Sequence, residues 1–264
     1  MENPAMKWML TIFNKWIQLI RRIEGPELEP FLWHSHYLYA RYAKIALTGL
    51  GRKLKGKILD VGAGTGYGAR FLDRTKTTYI PTDLLEGRDP ADSKISKQAE
   101  KIGIYCSANE LPFSNGCIDG IMMISVLEHL ENPQKALKEA YQLLVPGGNI
   151  LVATPFAFPV HGYPLDFRRW TKEGLKSEIE NAGFVVLEEN CFGNTFSSLV
   201  LNLNLFLKYN ILQNRNKLFR VAYLMVSPLR FIYQIILNLF AIFLDTIDKS
   251  DGFPLGIAMI GGKR

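Results

Sequence analysis

The sequence predicts an α/β fold: a doubly wound, mostly parallel sheet covered by helices on both faces. Three observations predict it. From residue 57 onward short apolar strands alternate with helical patterns, a glycine-rich turn follows the first strand without a gap, and the second strand ends on a lone acid.

The first strand, KILDV (57–61), runs into GAGTGYGARFL (62–72), a glycine turn expected to open a helix. TTYIPTD (77–83), IGIYCS (102–107) and CIDGIMMIS (117–125) read as the next three strands. Pro133 starts a helix over 133–144, Pro146-Gly147-Gly148 closes it, and NILVATP (149–155) is a fifth strand. Thr171 reads as the N-cap of a helix over 172–183, followed by a sixth strand at 184–192. Ahead of this core, 5–24 reads as an amphipathic helix with Trp8, Ile12, Trp16, Leu19 and Ile23 on one side and Lys7, Asn14, Lys15, Gln18, Arg21 and Arg22 on the other. Gly25-Pro26 ends it, and a second helical pattern runs over 31–47. Asn14 and Lys15 interrupt any signal-peptide apolar run.

Composition narrows the function. The 264 residues carry 31 Lys plus Arg against 25 Asp plus Glu, and 48% are apolar, so the chain is globular and able to bury a large core. The net charge of +6 is uneven: residues 1–24 hold +2 and residues 195–244 hold +5 with no acid, leaving −1 for the rest. Excess positive charge in the two most apolar stretches is a membrane-surface pattern, and basic residues interleaved with aromatics as RNA readers need are not apparent, so no nucleic-acid partner is expected. Cys106, Cys117 and Cys191 have no paired spacing, and His34 and His36 point to different faces of a helix, so neither a disulfide framework nor a metal site is expected. A reducing cytosol is the default compartment.

The glycine turn carries most of the chemistry. Gly62, Gly64 and Gly66 permit positive φ and let a ligand press on bare backbone, while Asp83, ending the next strand, is able to accept from both hydroxyls of a ribose. Gly64-x-Gly66-x-x-Ala69 also satisfies a loose dinucleotide fingerprint, which leaves a nicotinamide cofactor open. Asp60, at the end of the preceding strand, instead suits a cofactor that carries an ammonium group.

With ANELPF (108–113), CIDGIMMISVLEHL (117–130) and LLVPGGNILVATP (143–155) in order behind these residues, the chain resembles the class I S-adenosylmethionine-dependent methyltransferases, in particular the small-molecule, quinone-biosynthesis type. The resemblance covers about residues 55–193 and extends to 254–264. It implies a Rossmann-like seven-stranded sheet whose last strand, in 253–264, is antiparallel. It also implies that Asp60, Gly62, Gly64 and Gly66 hold the methionine part, Asp83 the ribose, Leu84 the adenine face, and Ser107, Ala108 and Asn109 the adenine edge. Ser125 would border the methyl-transfer site. Relatives usually have an acid where Ser107 stands, so weaker adenine binding is expected. The candidates for a general base are His129 and His161, with Asp166 beside the latter. FPVHGYPLDFRRW (158–170) resembles a substrate-side loop, a polar lid in which Tyr163, Arg168 and Arg169 meet substrate and an arginine holds a phosphate or carboxylate.

About sixty residues separate the sixth strand from the last. They contain LVLNLNLFL (199–207) and FIYQIILNLFAIFL (231–244), with Gln234 and Asn238 forming a narrow polar stripe after Arg230. Fourteen uncharged residues are too few to span about 30 Å of hydrocarbon, and a membrane-dipping helical hairpin is expected. A homodimer interface, a substrate cap and a transmembrane pair are the alternatives. The resulting division is N-terminal helices over 1–50, a cofactor-binding core over 51–194, an apolar insertion over 195–250 and a final strand over 251–264. The function this implies is methyl transfer from S-adenosylmethionine to a lipid, lipid-linked glycan or other small acceptor, on the cytosolic face of a membrane touched through 1–24 and 195–244. The rivals are a membrane-tethered binding or scaffold protein and a nicotinamide-dependent oxidoreductase. The last lacks a Tyr-x-x-x-Lys pair.

Overall fold

The computed structural model describes residues 30–84, 102–213, 229–248 and 250–264, together with Trp8, Thr11, Ile12, Lys15 and Gln18. The chain forms two compact units, one of residues 42–193 and 253–264, the other of 1–41 and 194–252.

The first unit is built on a seven-stranded sheet: β1 (Gly56–Val61), β2 (Thr77–Asp83), β3 (Ile104–Tyr105), β4 (Ile118–Ile124), β5 (Leu144–Pro155), β6 (Val185–Phe192) and β7 (Gly256–Gly262). The spatial order is β3-β2-β1-β4-β5-β7-β6, and β7 runs antiparallel to both of its neighbours. β1, β4 and β5 are buried almost continuously along their length, as parallel strands covered on both faces must be. Their side chains, with Leu59, Ile121, Met123, Ile150 and Val152 among them, form the core with Leu137, Leu175 and Ile179 from the covering helices.

Helix α1 (Tyr37–Gly51) opens the unit with Ala43, Ala46, Leu47 and Leu50 buried at helical spacing. The residues before it, 31–36, form turns, so this helix starts and ends later than the pattern over 31–47 predicts. In α2 (Pro133–Leu143), Asn132 accepts from Lys135 N at 3.0 Å with Pro133 at the first turn, and Ala136, Leu137, Ala140 and Leu143 face the core. Thr171 caps α3 (Lys172–Asn181) by accepting from Gly174 N at 3.1 Å.

Three local expectations are corrected. The glycine turn opens a 3₁₀ helix of five residues, Tyr67–Phe71, rather than an α-helix. The third strand shrinks to two residues. Pro146-Gly147-Gly148 lies inside β5 as an irregularity: Leu144 pairs with Ile118, and the ladder resumes at Asn149 opposite Gly120. Gly147, at φ +79°, absorbs the extra length.

In the second unit, α4 (Thr195–Gln213) and α5 (Arg230–Ile247) pack together. Their polarity is inverted. On α5, Arg230, Gln234, Asn238, Ala241 and Asp245 are buried, while Ile232, Ile236, Leu239, Phe240, Phe243 and Ile247 are exposed. On α4, Ser197, Ser198 and Asn204 are fully buried, while Leu199, Leu203 and Phe206 are exposed. Hydrogen bonds join the polar groups: Asn204 Nδ2 to Asn238 Oδ1 at 3.1 Å, Asn238 Nδ2 to Leu32 O at 2.7 Å, and Ser197 N to Asp245 Oδ1 at 3.2 Å. Of the 5–24 helix, Trp8, Thr11, Ile12, Lys15 and Gln18 are helical and exposed; Lys7, Asn14, Trp16, Leu19, Arg21, Arg22 and Ile23 lie outside the described residues, as do Arg215, Lys217, Arg220 and Pro228.

Candidate active site

The carboxyl ends of β1, β2 and β4 meet at the glycine turn, the edge of an open α/β sheet where ligands bind. Gly62, Gly64 and Gly66 sit at φ +71°, +57° and +77°, values that favour glycine. A Cβ on Gly62 would come within 2.6 Å of Val126 Cγ2, so the turn also packs too closely against the end of β4 for a side chain.

Asp83 closes this turn from β2. Its Oδ2 accepts from Gly64 N at 2.8 Å and its Oδ1 accepts from Leu84 N at 2.7 Å, which fixes the carboxylate beside the glycine backbone. Leu84 is largely exposed. At the 107–109 loop, Ser107 Oγ accepts from Asn109 N at 3.2 Å, Ala108 is buried, and Asn109 Oδ1 is buried without a hydrogen-bond partner. That orphaned acceptor stands in the loop expected to meet the adenine edge, where Ser107 replaces the usual acid. A turn of left-handed glycines, an aligned carboxylate and a buried unpaired acceptor fit S-adenosylmethionine.

Asp60 departs from the expected picture. Only 2% exposed, it accepts from Tyr79 Oη at 2.6 Å and lies under Gly68, where a Cβ would collide with its carboxylate. Burial pushes its carboxyl up to about 7, the Tyr79 hydrogen bond opposing that rise. The side chain therefore anchors β1 to β2 beneath the turn.

Ser125 directly follows β4 with φ +54°, the one described non-glycine residue in the left-handed region, held by its N–H to Ala153 O at 2.8 Å. This strained corner redirects the chain into the 3₁₀ turn Leu127–His129 and brings Glu128 and His129 under the 156–170 loop. Phe167 N donates to Glu128 O at 2.9 Å, and His129 Nδ1 bonds Leu165 O. The rings of His129 and His161 meet edge to face with centroids 4.8 Å apart.

Asp166 organises the loop. It accepts from His161 N at 2.8 Å and from Arg169 Nη1 and Nη2 at 2.5 and 2.9 Å. Burial alone would raise its carboxyl, but the Arg169 and His161 contacts bring it down to about 2. Burial holds the His161 imidazole below its ordinary value, hence neutral at physiological pH. Both arginines do something other than expected. Arg169 is bound to Asp166 and to the carbonyl of Pro159, and Arg168 donates to Leu130 O at 2.7 Å and Glu131 O at 3.2 Å. These bonds tie the loop down. Tyr163, 88% exposed, lies on the outer part of the loop.

Glu128 is the residue that sequence reasoning missed. It is fully buried, neither carboxylate oxygen has a hydrogen-bond partner from another residue, and burial pushes it up to about 8. The available signal was its position directly before His129.

Comparison with known proteins agrees with this geometry. The family described as a methyltransferase domain matches residues 34–189. A probable S-adenosylmethionine-dependent methyltransferase of Mycolicibacterium smegmatis is 26% identical over 172 residues, covering 62% of this chain and 65% of its own length. A demethylmenaquinone methyltransferase of Tropheryma whipplei is 30% identical over 113 residues, covering 43% of this chain and 47% of its own. The match thus spans less than two thirds of either relative. A putative methyltransferase of Bacillus halodurans superposes with a TM-score of 0.51 at 19% identity, over 83% of this chain and 98% of its own, a likeness of fold.

Proposed function

Because this chain belongs to the class I S-adenosylmethionine-dependent methyltransferase family, we propose that it transfers a methyl group to a lipid, lipid-linked glycan or similarly apolar small acceptor at a membrane surface. The acceptor class rests on one observation, the inverted polarity of α4 and α5. A helix pair that buries Asn204, Gln234 and Asn238 and exposes Ile236, Phe240 and Phe243 is matched to an apolar surround. At 18 residues and about 27 Å, α5 is long and apolar enough by length and composition to enter deeply into the roughly 30 Å of a hydrocarbon core. The five basic residues and no acid over 195–244 add attraction to anionic headgroups on a cytosolic face.

The cofactor, when bound, supplies a methyl group on a positively charged sulfur that is already an activated leaving group. The protein's task is alignment. The glycine turn at 62–66 offers bare backbone for close approach, the Asp83 carboxylate would accept from ribose hydroxyls, and Asn109 Oδ1 would accept from the adenine amino group in place of the missing acid. Asp60 supports the turn from below, a positioning residue. His129, His161 and Asp166 form the acceptor side: where the acceptor atom carries a proton, a neutral imidazole oriented by Asp166 is suited to handle it.

The test uses methyl-labelled S-adenosylmethionine, the full chain and a membrane extract of its own cells, with label partitioned between organic solvent and water. Label in the organic phase, lost with Asp83→Ala, is expected. Label confined to the aqueous phase overturns the acceptor class, and equal transfer by Asp83→Ala overturns the ribose assignment.

A further inference from the structure

Glu128, His129 and His161 bring one ligand atom each within 4.8 Å of one another. His129 Nε2 lies 3.9 Å and His161 Nε2 4.0 Å from Glu128 Oε1. These distances are too long for hydrogen bonds. Glu128 is fully buried, its carboxylate oxygens have no hydrogen-bond partner, and one imidazole nitrogen of each histidine lies about 4 Å from Oε1.

The other nitrogen of each ring is occupied. His129 Nδ1 bonds the carbonyl of Leu165, and His161 Nδ1 lies 3.2 Å from Pro159 O and 3.4 Å from Asp166 Oδ2. Oxygen partners require a proton on Nδ1, which leaves the lone pair on Nε2, the side that faces Glu128. Arg169 Nη2, 3.3 Å from His161 Nδ1, does not reverse this assignment, because its protons have nearer oxygens on Asp166 at 2.9 Å and Pro159 at 3.1 Å. A carbonyl or carboxylate behind the outer nitrogen is the arrangement that orients metal-ligating histidines. Gly162 contributes as well: at φ +66° a Cβ there would come within 3.0 Å of the His129 ring, so the loop closes over the cluster only with glycine.

We propose that Glu128, His129 and His161 form a binding site for one divalent first-row metal ion of the zinc class. Two neutral imidazoles and a carboxylate are the ligand set such ions take, at about 2.1 Å from each donor. Donors around one ion lie roughly 3–4 Å apart, so the cluster tightens by about 1 Å on binding. The ion displaces the proton that burial keeps on Glu128, releasing it to solvent, and balances the resulting carboxylate together with the Arg169 charge already acting on it. Three protein ligands leave a coordination position, and the imidazoles keep 28% and 33% of their side-chain surface open. An oxygen of the methyl acceptor suits that position, where the ion lowers its proton affinity and the proton leaves to solvent; with the ion bound, the imidazoles serve as ligands and not as the base. This last step rests on the activity proposed above; ion binding does not.

The experiment titrates the full chain, stripped by chelator, with Co²⁺ followed by visible absorption and with Zn²⁺ followed by calorimetry. One equivalent is expected, with the cobalt colour displaced by zinc. Glu128→Gln and His161→Ala are expected to weaken binding by about 100-fold or more, while a His34→Ala, His36→Ala double variant binds as the parent does. S-adenosylhomocysteine binding by the same variants reports that the cofactor side remains folded and tests the family's cofactor separately from the metal. Absence of binding by the parent chain, equal binding by Glu128→Gln and His161→Ala, or loss of binding in the His34, His36 variant overturns the site.

Discussion

The two units of this protein solve opposite problems. In the sheet unit the fully buried residues are mostly apolar, Leu59, Ile121, Leu151 and Val152 among them; in the helical unit they include Ser197, Asn204, Gln234 and Asn238 beside Leu201, Leu205 and Ala241. The sheet unit hides apolar surface from water and is stabilised by doing so. The helical unit turns much of its apolar surface outward and joins some of its buried polar groups by hydrogen bonds, so water gives it less of that driving force. One chain thus carries one part organised for aqueous solvent and another organised for an apolar surround, and the cofactor site belongs to the first.

Four variants, the last a double one, sharpen the contrast, ordered by their effect on folding free energy. Leu151→Ala in the sheet is expected to cost about 2–5 kcal/mol in denaturant melts, because a fully buried site on a central strand cannot collapse around the cavity. Asp60→Asn acts in the other direction. Its carboxyl is raised from 3.8 to about 7, so the folded chain keeps a proton that the unfolded chain releases, and stability falls as pH rises through that window. The asparagine still accepts from Tyr79. It is expected to flatten the pH dependence between 4 and 7 and to add up to about 4 kcal/mol at pH 8; an unchanged pH profile would show that Asp60 ionises freely.

Asn238→Ala in the helical unit leaves the Asn204 amide and the Leu32 carbonyl without their partner and is expected to cost about 1–3 kcal/mol. A neutral result in thermal melts would mean that water reaches this interior. The pair Ile236→Ser and Phe240→Ser, on the outward face of α5, is expected to change stability by less than about 0.5 kcal/mol while weakening flotation with anionic vesicles about tenfold or more. Unchanged flotation would remove the membrane from the proposal and leave a second copy of the chain as the partner for this face.

How much was legible beforehand differs by feature. The left-handed glycine turn was readable because positive φ demands a residue type at a fixed place beside a strand end. Thr171 was readable as local capping chemistry, within three residues of what it binds. The two-residue β3 and the irregular start of β5 were not, since strand length follows from which neighbour offers a free edge. Arg168 and Arg169 read as substrate ligands because their partners, the Leu130 carbonyl and Asp166, meet them only after the loop folds back.

The sequence by itself determined the alternation of elements, the cofactor turn, and the concentration of apolar residues and positive charge in the insertion, because periodicity and composition are properties of neighbouring residues. Only the tertiary structure decided that Gln234 and Asn238 face inward and that Asp60 lies beneath the turn. It alone joined Glu128 and His129 to His161 across thirty-odd residues of chain. Burial and long-range contact belong to the packing of elements against one another, and no local pattern records them.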